Sequence, residues 1–322
     1  MSEESAGIGA AHNGKPKHVK VLVLGSGPAG LSAALYAARA ELAPVVLTGI
    51  QLGGQVAVTY TVENYPGFPE GVGGAQLGEL FQKQAEHFGA KVEFDTANEV
   101  DLSRRPFRVK ADTGEYAADV LIISTGADPN HLNVPGETEL TGRGVSYCAT
   151  CDGWFFKDKR VVIVGGGDSA LEEGLFITRY ASAVTIIHRR DEFRAGAILQ
   201  SRVGQHPKVS LLLNTVVTEI IGKDKVEAVR LKSVESGAET IFETDGVFIF
   251  IGHTPNTQMF RGQLEMDAGG YLKVDQRMRT NVAGVFAAGE AADPTFRQVV
   301  TSAGMGAAAA IEATRFLESE EH

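Results

Sequence analysis

Two glycine-rich turns, each lying directly after an apolar strand, constrain the fold of this chain more than any other feature. The first, Gly25-x-Gly27-x-x-Gly30, follows an apolar run that starts at Val19 and precedes an alanine-rich segment. The second, Gly165-x-Gly167-x-x-Ala170, follows the apolar run from Val161 to Val164. Strand, glycine turn and helix in this order begin a β-α-β unit whose turn brings backbone N–H groups against a pyrophosphate. The sequence therefore predicts an α/β protein with two Rossmann-like dinucleotide-binding domains.

Two further apolar strands end in small residues and lead into a Pro-Asn pair. One runs from Val120 to Gly126 and precedes Pro129-Asn130, and the other runs from Val247 to Gly252 and precedes Pro255-Asn256. Two similar exits indicate that the chain leaves its first domain once and later returns to it.

We therefore predict a discontinuous first domain, residues 19–127 and 252–322, into which a second domain, residues 128–251, is inserted. The strand from Ala283 to Ala288 and the small-residue helix from Gly304 to Phe316 would complete the sheet of the first domain. Residues 1–18 are mostly polar or small and are expected to form a disordered extension.

Composition excludes several classes of protein. With 322 residues, 43% of them hydrophobic, the chain can build two cores. The net charge of −10 disfavours nucleic acid as a partner, since phosphate binding needs a basic face. The apolar runs are far shorter than the ~20 residues that span a bilayer, and the N-terminus lacks the pattern of a secretory signal. We expect a cytoplasmic protein with no membrane partner.

The residues that follow the second strand of each β-α-β unit differ from the usual pattern. An acidic residue about 20 positions after the glycine turn commonly binds the ribose. The first unit has Thr48-Gly49 there, with no acid, and the second has His188-Arg189-Arg190. Arginine complements a ribose 2′-phosphate, which favours NADPH over NADH. The alternative is an ordinary solvated loop, because Asp191 and Glu192 lie beside these basic residues.

The only two cysteines, Cys148 and Cys151, form a C-x-x-C pair. This spacing suits half of a zinc site or a reversible disulfide. Since the chain has no second C-x-x-C, and His131 and His188, the histidines nearest in sequence, lack paired spacing, disulfide chemistry is favoured. Asp152 follows directly, and it would either transfer a proton to a thiolate or act as the N-cap of the next turn.

Two dinucleotide folds and a dithiol together indicate an electron path. NADPH would give a hydride, a flavin would store the two electrons, and the disulfide would accept them. The dithiol lies in the nucleotide domain that does not hold the flavin, so nicotinamide and disulfide would compete for one ring.

From about Lys20 to about Phe316, the chain resembles the low-molecular-weight bacterial thioredoxin reductases. The motifs that carry the resemblance are Gly25 to Gly30, Gly53-Gly54-Gln55, Val62-Glu63-Asn64-Tyr65-Pro66-Gly67, Cys148-Ala149-Thr150-Cys151-Asp152-Gly153, His188-Arg189-Arg190-Asp191 and Arg297-Gln298. The cysteine block is the most specific of them.

The resemblance implies a set of site residues. FAD would be bound by Ser26, Gly27, Pro28, Ala29, Thr48, Gly49, Gly54, Gln55, Asn64, Gly289, Glu290, Arg297, Gln298 and Val299. NADPH would be bound by Gly167, Asp168, Ser169, His188, Arg189, Arg190 and Arg194. Cys151 would be the thiol nearest the flavin, Cys148 the one that exchanges with thioredoxin, and Asp152 the acid/base.

The resemblance also implies a homodimer and a rotation of the NADPH domain about hinges near residues 126–130 and 250–255. One departure from the family is Glu290, where the family has aspartate; we expect FAD binding to persist. Trp154-Phe155-Phe156 and Arg143 are candidates for a thioredoxin-docking surface, although aromatic packing is an equal interpretation of the triplet.

Three other functions are compatible with parts of this pattern. A flavin reductase for ferredoxin or flavodoxin would not need Cys148 and Cys151. A flavin-dependent dithiol oxidase that passes electrons to oxygen would have little use for His188-Arg189-Arg190. A redox-sensing binding module would bind nucleotide without turnover, and thioredoxin-dependent NADPH oxidation distinguishes it from an enzyme.

Overall fold

A computed structural model describes residues 15–59 and 61–320. These residues form two compact units. The first unit contains residues 15–59, 61, 65–127 and 255–320, and the second contains residues 62–64 and 128–254. Each unit is built on a mainly parallel sheet, which confirms the predicted α/β class.

The strands of the described residues are short and mostly buried. In chain order they are β1 (Lys17–Leu24), β2 (Val45–Leu47), β3 (Lys91–Glu93), β4 (Ala97–Asp101), β5 (Phe107–Ala111), β6 (Glu115–Ile123), β7 (Ala127–Pro129), β8 (Val145–Ser146), β9 (Arg160–Gly165), β10 (Ala183–Ile187), β11 (Val209–Leu212), β12 (Thr215–Ile221), β13 (Ala228–Ser233), β14 (Glu239–Glu243), β15 (Gly246–Phe250), β16 (His253–Pro255) and β17 (Val285–Ala287).

The helices follow the glycine turns or cover the sheets. They are α1 (Pro28–Arg39), α2 (Gly74–His87), α3 (Ala149–Asp152), α4 (Asp168–Ile177), α5 (Ala197–Gln205) and α6 (Val299–Glu320). Single 3-10 turns occur at Gly54–Val58, Gly153–Phe156, Gln258–Phe260 and Gly289–Ala291.

The sheet of the first unit has the strand order β3-β2-β1-β6-β5-β4, with β17 also beside β6. Strands β1, β2, β3, β6 and β17 run parallel, so their carboxyl ends, including the end of β1 that leads into the first glycine turn, meet at one edge. Alanines on the inner face of α1 share a core with alanines of α6. A Cβ at Gly306 of α6 would lie 2.0 Å from the Ala29 carbonyl oxygen, so the close approach of these helices requires glycine there.

The sheet of the second unit has the order β11-β10-β9-β15-β8, and every pairing in it is parallel. Helices α4 and α5 share one apolar core with its strands. An antiparallel sheet, β12-β13-β14, contributes to a second core. The continuous apolar runs of β9 and β15 fit this burial, since parallel strands are covered on both faces.

Strands β7 and β16 form a separate two-stranded sheet. Beside it, the Asn130 N–H donates to the Gly252 carbonyl at 2.9 Å, and the Asn256 N–H donates to the Gly126 carbonyl at 3.0 Å. The two chain crossings expected near residues 126–130 and 250–255 therefore coincide with paired backbone.

Two element boundaries differ from the sequence-based expectation. The predicted disordered extension, residues 1–18, is wrong at its end, because β1 begins at Lys17 and pairs Lys17 and His18 with Tyr116 and Ala117 of β6. The His18 imidazole also lies 2.9 Å from the Asp119 carboxylate. Residues 1–14 of that extension lie outside the described residues.

The last helix begins at Val299 rather than at Gly304. Its first turn forms because the Ser302 N–H donates to the Gln298 carbonyl at 3.0 Å and the Thr301 hydroxyl donates to the same carbonyl. Gly304 and Gly306 are interior residues of the helix, and the second of them serves packing against α1.

Candidate functional site

The two cysteines of the second unit are joined in a disulfide, with their Cα atoms 5.3 Å apart. Cys148 is the N-cap of the short helix α3, and its sulfur accepts a hydrogen bond from the Cys151 N–H at 3.2 Å. Both residues are half-buried. In residues 15–59 and 61–320, no three His, Cys, Asp or Glu side chains lie together in a way that could hold a metal ion.

Asp152 is half-buried beside the disulfide, and Ser146 holds its carboxyl group. The Ser146 hydroxyl donates to Asp152 Oδ2 at 2.6 Å and accepts from the Cys148 N–H at 3.1 Å. Burial raises the pKa of Asp152, and the charge of Glu63 adds to the rise, while the bond from Ser146 opposes it. The carboxyl group therefore keeps its proton to a higher pH than an exposed aspartate, as a proton donor to a thiolate requires.

The alternative interpretation of Asp152 as a helix cap finds no support in its hydrogen bonds. Asp152 occupies the N-cap position of the 3-10 turn Gly153–Phe156, but its side chain makes no capping bond.

Of the aromatic residues Trp154, Phe155 and Phe156, one packs in the core and two are exposed. Phe156 is buried against Phe248, with the ring centroids 4.9 Å apart. Trp154 and Phe155 are exposed, and so is Arg143. The exposed side chains remain candidates for a docking surface.

In the first glycine turn, Gly25 to Gly30, protein atoms fill the space beside Gly30 and leave the space beside Gly27 open. A Cβ at Gly30 would lie 1.9 Å from the Gly25 carbonyl oxygen, so protein atoms already occupy that space. A Cβ at Gly27 would have the Gly53 carbonyl oxygen as its nearest neighbour, at 4.0 Å. Gly27 is the N-cap of α1, and Pro28 opens the helix at a position where a backbone N–H would have no intrahelical acceptor. The space at Gly27 therefore fits a phosphate group that faces the helix N-terminus.

Three segments converge on this turn. The Ser26 hydroxyl is within hydrogen-bond distance of the Thr48 carbonyl, 3.0 Å, and of the Gln51 carbonyl, 3.3 Å. The Gly53 N–H donates to the Ser26 carbonyl at 3.2 Å, and a Cβ at Gly54 would lie 3.2 Å from Gly27 Cα. The structure thus brings together Ser26 to Ala29, Thr48, Gly49, Gly54 and the neighbouring Gln55.

The C-terminal part of the predicted group meets the same helix. Gly289 has φ of +72°, and a Cβ there would lie 2.8 Å from the Ala29 Cβ. Half-buried Glu290 follows it in the 3-10 turn Gly289–Ala291. Asn64 differs from the other predicted FAD residues, because residues 62–64 group with the second unit.

Asp293 organises the loop that carries Arg297, Gln298 and Val299, and sequence reasoning missed it. Its buried carboxylate accepts from the N–H groups of Thr295 and Phe296 at 2.9 Å and of Arg297 at 3.2 Å. Asp before Pro294 is a turn signal that could have identified this role.

The second glycine turn has the same division of space. A Cβ at Gly165 would lie 2.4 Å from the Phe250 carbonyl oxygen, and one at Gly166 would overlap the His188 ring at 2.3 Å. A Cβ at Gly167, the N-cap of α4, would have no neighbour within 4 Å. This open position fits a second phosphate-binding turn.

The basic loop after β10 is attached to this turn by its backbone. The Arg194 N–H donates to the Gly166 carbonyl at 2.8 Å, and the Gly196 N–H donates to Asp168 Oδ1 at 2.8 Å. The side chains of Arg189, Arg190 and Arg194 are exposed. Predicted residues 167–169, 188–190 and 194 therefore lie in one place.

His188 is 7% exposed, and its ring stacks on Phe193 with centroids 5.4 Å apart. Within the described part of the chain, its buried Nε2 atom has no hydrogen-bond partner. Burial lowers the pKa of His188, and the charges of Arg190, Arg189 and Arg194 lower it further against an opposing backbone hydrogen bond with Glu192. The imidazole is therefore neutral at physiological pH.

Comparisons with known proteins agree with this arrangement. Residues 19–306 match the family described as pyridine nucleotide-disulphide oxidoreductase. A curated thioredoxin reductase from Rickettsia felis is 50% identical over 303 residues, which cover 92% of this chain and 98% of that protein. One from Mycolicibacterium smegmatis is 48% identical over 94% of this chain and 97% of its own length.

Among solved structures, thioredoxin reductase from Streptococcus pyogenes superposes with a TM-score of 0.90 at 39% identity, covering 95% of this chain and 100% of that chain. Across the described ranges, no helix combines the length and apolar character that a membrane crossing demands.

Proposed function

We propose that this chain, which belongs to the pyridine nucleotide-disulphide oxidoreductase family, reduces thioredoxin with electrons from NADPH. The observation that carries the proposal is the Cys148–Cys151 disulfide next to a carboxyl group whose pKa is raised by burial. The disulfide lies in the same unit as the second glycine turn and the basic loop. Similarity to proteins named thioredoxin reductase supports thioredoxin as the substrate.

The two cofactors of this enzyme are FAD and NADPH. The open space at Gly27, the segments around Thr48 and Gly54, and the Gly289–Val299 region would hold FAD. The open space at Gly167 and the loop with His188, Arg189, Arg190 and Arg194 would hold NADPH. When bound, the flavin supplies two-electron storage between a hydride donor and a disulfide.

Arginine side chains of the basic loop would select the nicotinamide cofactor. Arg189 and Arg190 are exposed. Their guanidinium groups would bind a ribose 2′-phosphate, which NADH lacks. Neutral His188 packs against Gly166 and supports the loop through this contact. It does not add a positive charge to those of Arg189, Arg190 and Arg194.

The exchange with thioredoxin follows ordinary thiol–disulfide chemistry. Two electrons and two protons convert the Cys148–Cys151 disulfide to a dithiol. The Cys148 thiolate attacks the thioredoxin disulfide, forming a mixed disulfide and releasing one thioredoxin thiolate. The Cys151 thiolate then attacks Cys148 Sγ, which re-forms the internal disulfide and releases the second thioredoxin thiolate. Asp152 holds or returns the proton at these thiolates.

The same unit carries both the dithiol and the residues assigned to NADPH, which supports alternating presentation to the flavin. We propose that the second unit rotates about the β7 and β16 connections between the two half-reactions. A homodimer and a cytoplasmic location are also part of the proposal; a lone, closely spaced cysteine pair fits a reducing compartment, where structural disulfides are rare.

The experiment that tests this function is NADPH oxidation by the purified flavoprotein, with and without a thioredoxin, repeated with NADH. Thioredoxin-dependent oxidation of NADPH in preference to NADH is expected. Flavin reduction without thioredoxin-dependent turnover would contradict the proposed substrate and favour another disulfide or a small electron carrier.

A further inference from the structure

We infer that Ser146 is a positioning residue for Asp152: its hydroxyl occupies Oδ2 and leaves Oδ1 to carry the proton exchanged with the dithiol. The inference rests on the proposed dithiol–disulfide exchange. It explains what orients the Asp152 carboxyl group and shifts its pKa, which the assignment of Asp152 as the acid does not explain.

The hydrogen bonds of Ser146 have one consistent direction. Its Oγ lies 2.6 Å from Asp152 Oδ2, 3.1 Å from the Cys148 nitrogen and 3.3 Å from the Cys148 carbonyl oxygen. A hydroxyl has one proton, and the shortest contact, to a carboxyl oxygen, is where that proton is most strongly attracted. Ser146 therefore donates to Asp152 and accepts from the Cys148 N–H, which connects the acid to the backbone of the first cysteine.

Ser146 is held rigidly enough to act in this way. It is 4% exposed, and it lies in β8, where it pairs with Phe248 of the buried strand β15. Val145, which precedes Ser146 in β8, pairs with Val247 of β15. A serine that is buried in a sheet cannot turn its hydroxyl to solvent, so the Asp152 carboxyl is fixed in one orientation.

The hydrogen bond from Ser146 acts against the other influences on the pKa of Asp152. Burial and the charge of Glu63, in the segment 62–64, both raise the pKa of Asp152, whereas the bond from Ser146 lowers it. The ionisable groups nearest to Asp152 in the chain are the Cys148 and Cys151 thiols, which titrate only after reduction. Ser146 thus opposes the neighbours that keep the carboxyl protonated, and it sets the pH at which the proton can be released.

Asp152 has a second oxygen that Ser146 does not use. Among the described residues, no hydrogen bond to Oδ1 accompanies the bond from Ser146 to Oδ2. A carboxyl group held by a serine at one oxygen is suited to exchange a proton with a neighbouring thiolate at the other.

The test compares Ser146→Ala, Ser146→Thr, Asp152→Asn and the double variant Ser146→Ala/Asp152→Asn as FAD-loaded proteins. Infrared difference spectra recorded against pH report the protonated carboxyl directly, and the band that is missing in Asp152→Asn identifies Asp152. Ser146→Ala should move the midpoint of this band about one pH unit higher, because a hydrogen bond to a charged group has been removed. Ser146→Thr retains a hydroxyl and should restore the midpoint.

Turnover provides the second measurement. The alkaline limb of the pH profile of thioredoxin-dependent NADPH oxidation should shift upward by about the same amount in Ser146→Ala, since the proton is held to higher pH. In the Asp152→Asn background, adding Ser146→Ala should change turnover less than about twofold, because coupled residues are not additive. An unchanged infrared midpoint, or equal losses in both backgrounds, would overturn the inference and leave Ser146 a purely structural residue. Because the infrared titration needs no thioredoxin, failure of the proposed substrate would be seen separately, as absent turnover in the unmodified protein.

Discussion

Asp168 Oδ1 accepts a hydrogen bond from the Gly196 N–H at 2.8 Å, joining the start of α4 to the end of the basic loop. A carboxylate at a phosphate-binding helix terminus repels the phosphate it faces. Its bond to Gly196 offsets that disadvantage, because it holds the loop that carries Arg189, Arg190 and Arg194 near the open position at Gly167. Asp168 is predicted to contact NADPH, and its bond to Gly196 gives it a supporting role beside that prediction.

Two substitutions separate these roles of Asp168. Asp168→Ala removes the acceptor and should raise the KM for NADPH about 3- to 10-fold, the value of one net hydrogen bond. Asp168→Asn keeps an acceptor oxygen and removes the charge, so its KM should be unchanged or lower. Steady-state kinetics with NADPH varied at saturating thioredoxin would measure this. A lower KM in Asp168→Ala would mean that charge repulsion outweighs loop positioning.

The arginines of the basic loop should decide between the two nicotinamide cofactors. Replacing Arg189 and Arg190 together by alanine should weaken NADPH binding about 10-fold or more, the usual effect of losing charged hydrogen bonds to a phosphate. NADH binding should change less than about twofold, since NADH has no 2′-phosphate. Arg202→Ala, at an exposed arginine of α5, is the matched control. Equal losses for both cofactors would remove the assignment.

The glycines of the first turn should differ sharply in what they tolerate. Gly27→Ala places a methyl group whose nearest atom outside its chain neighbours is the Gly53 carbonyl oxygen at 4.0 Å, so it should leave the fold intact and reduce bound FAD. Gly30→Ala places it 1.9 Å from the Gly25 carbonyl oxygen and should destabilise the first unit itself. Gly204→Ala, at an open position in α5, is the control. FAD content and thermal unfolding of the three variants check this; normal FAD binding by Gly27→Ala would show that the space is not a phosphate cradle.

The order of electron transfer can be tested at the first cysteine. Cys148→Ser leaves the glycine turns and the basic loop untouched, so NADPH should still reduce the flavin. Turnover with thioredoxin should be lost, because a serine hydroxyl cannot form the mixed disulfide. Anaerobic stopped-flow absorbance of the flavin, together with a thioredoxin reduction assay, separates the two steps. Loss of flavin reduction as well would place Cys148 earlier in the path than proposed.

Local patterns predicted the parts of the site that depend on local geometry. A strand followed by glycines at fixed spacing predicts a tight turn before a helix, and the structure has open space at Gly27 and Gly167 in these turns. Ser146 could not be identified in this way, because its role depends on which backbone N–H groups and carboxyl oxygens tertiary packing brings within reach. The packing of the His188 ring against Gly166 likewise cannot be predicted from the sequence, where the histidine is only the neighbour of two arginines. Lys17 and His18 look like part of a polar extension until β6 provides their backbone partners.

His188 should make the stability of the protein depend on pH. Its pKa in the folded chain lies below the ordinary value because of burial and the three neighbouring arginines, whereas the unfolded chain protonates near pH ~6.5. Between these two pKa values the unfolded state binds more protons, so the free energy of unfolding falls as pH drops below about 6.5, by at most ~1.4 kcal/mol per pH unit for one proton. His188→Gln cannot take up this proton and should lose less stability between pH 7.5 and 5.5. Denaturant titrations at several pH values measure how steeply the free energy of unfolding changes with pH in each protein. The contributions of titratable groups that both proteins share cancel in the difference. His87→Gln, at an exposed histidine, is the control. Parallel pH dependence in the unmodified protein and His188→Gln would show that the pKa of His188 is not lowered in the folded chain, and the buried environment assigned to its ring would then be wrong.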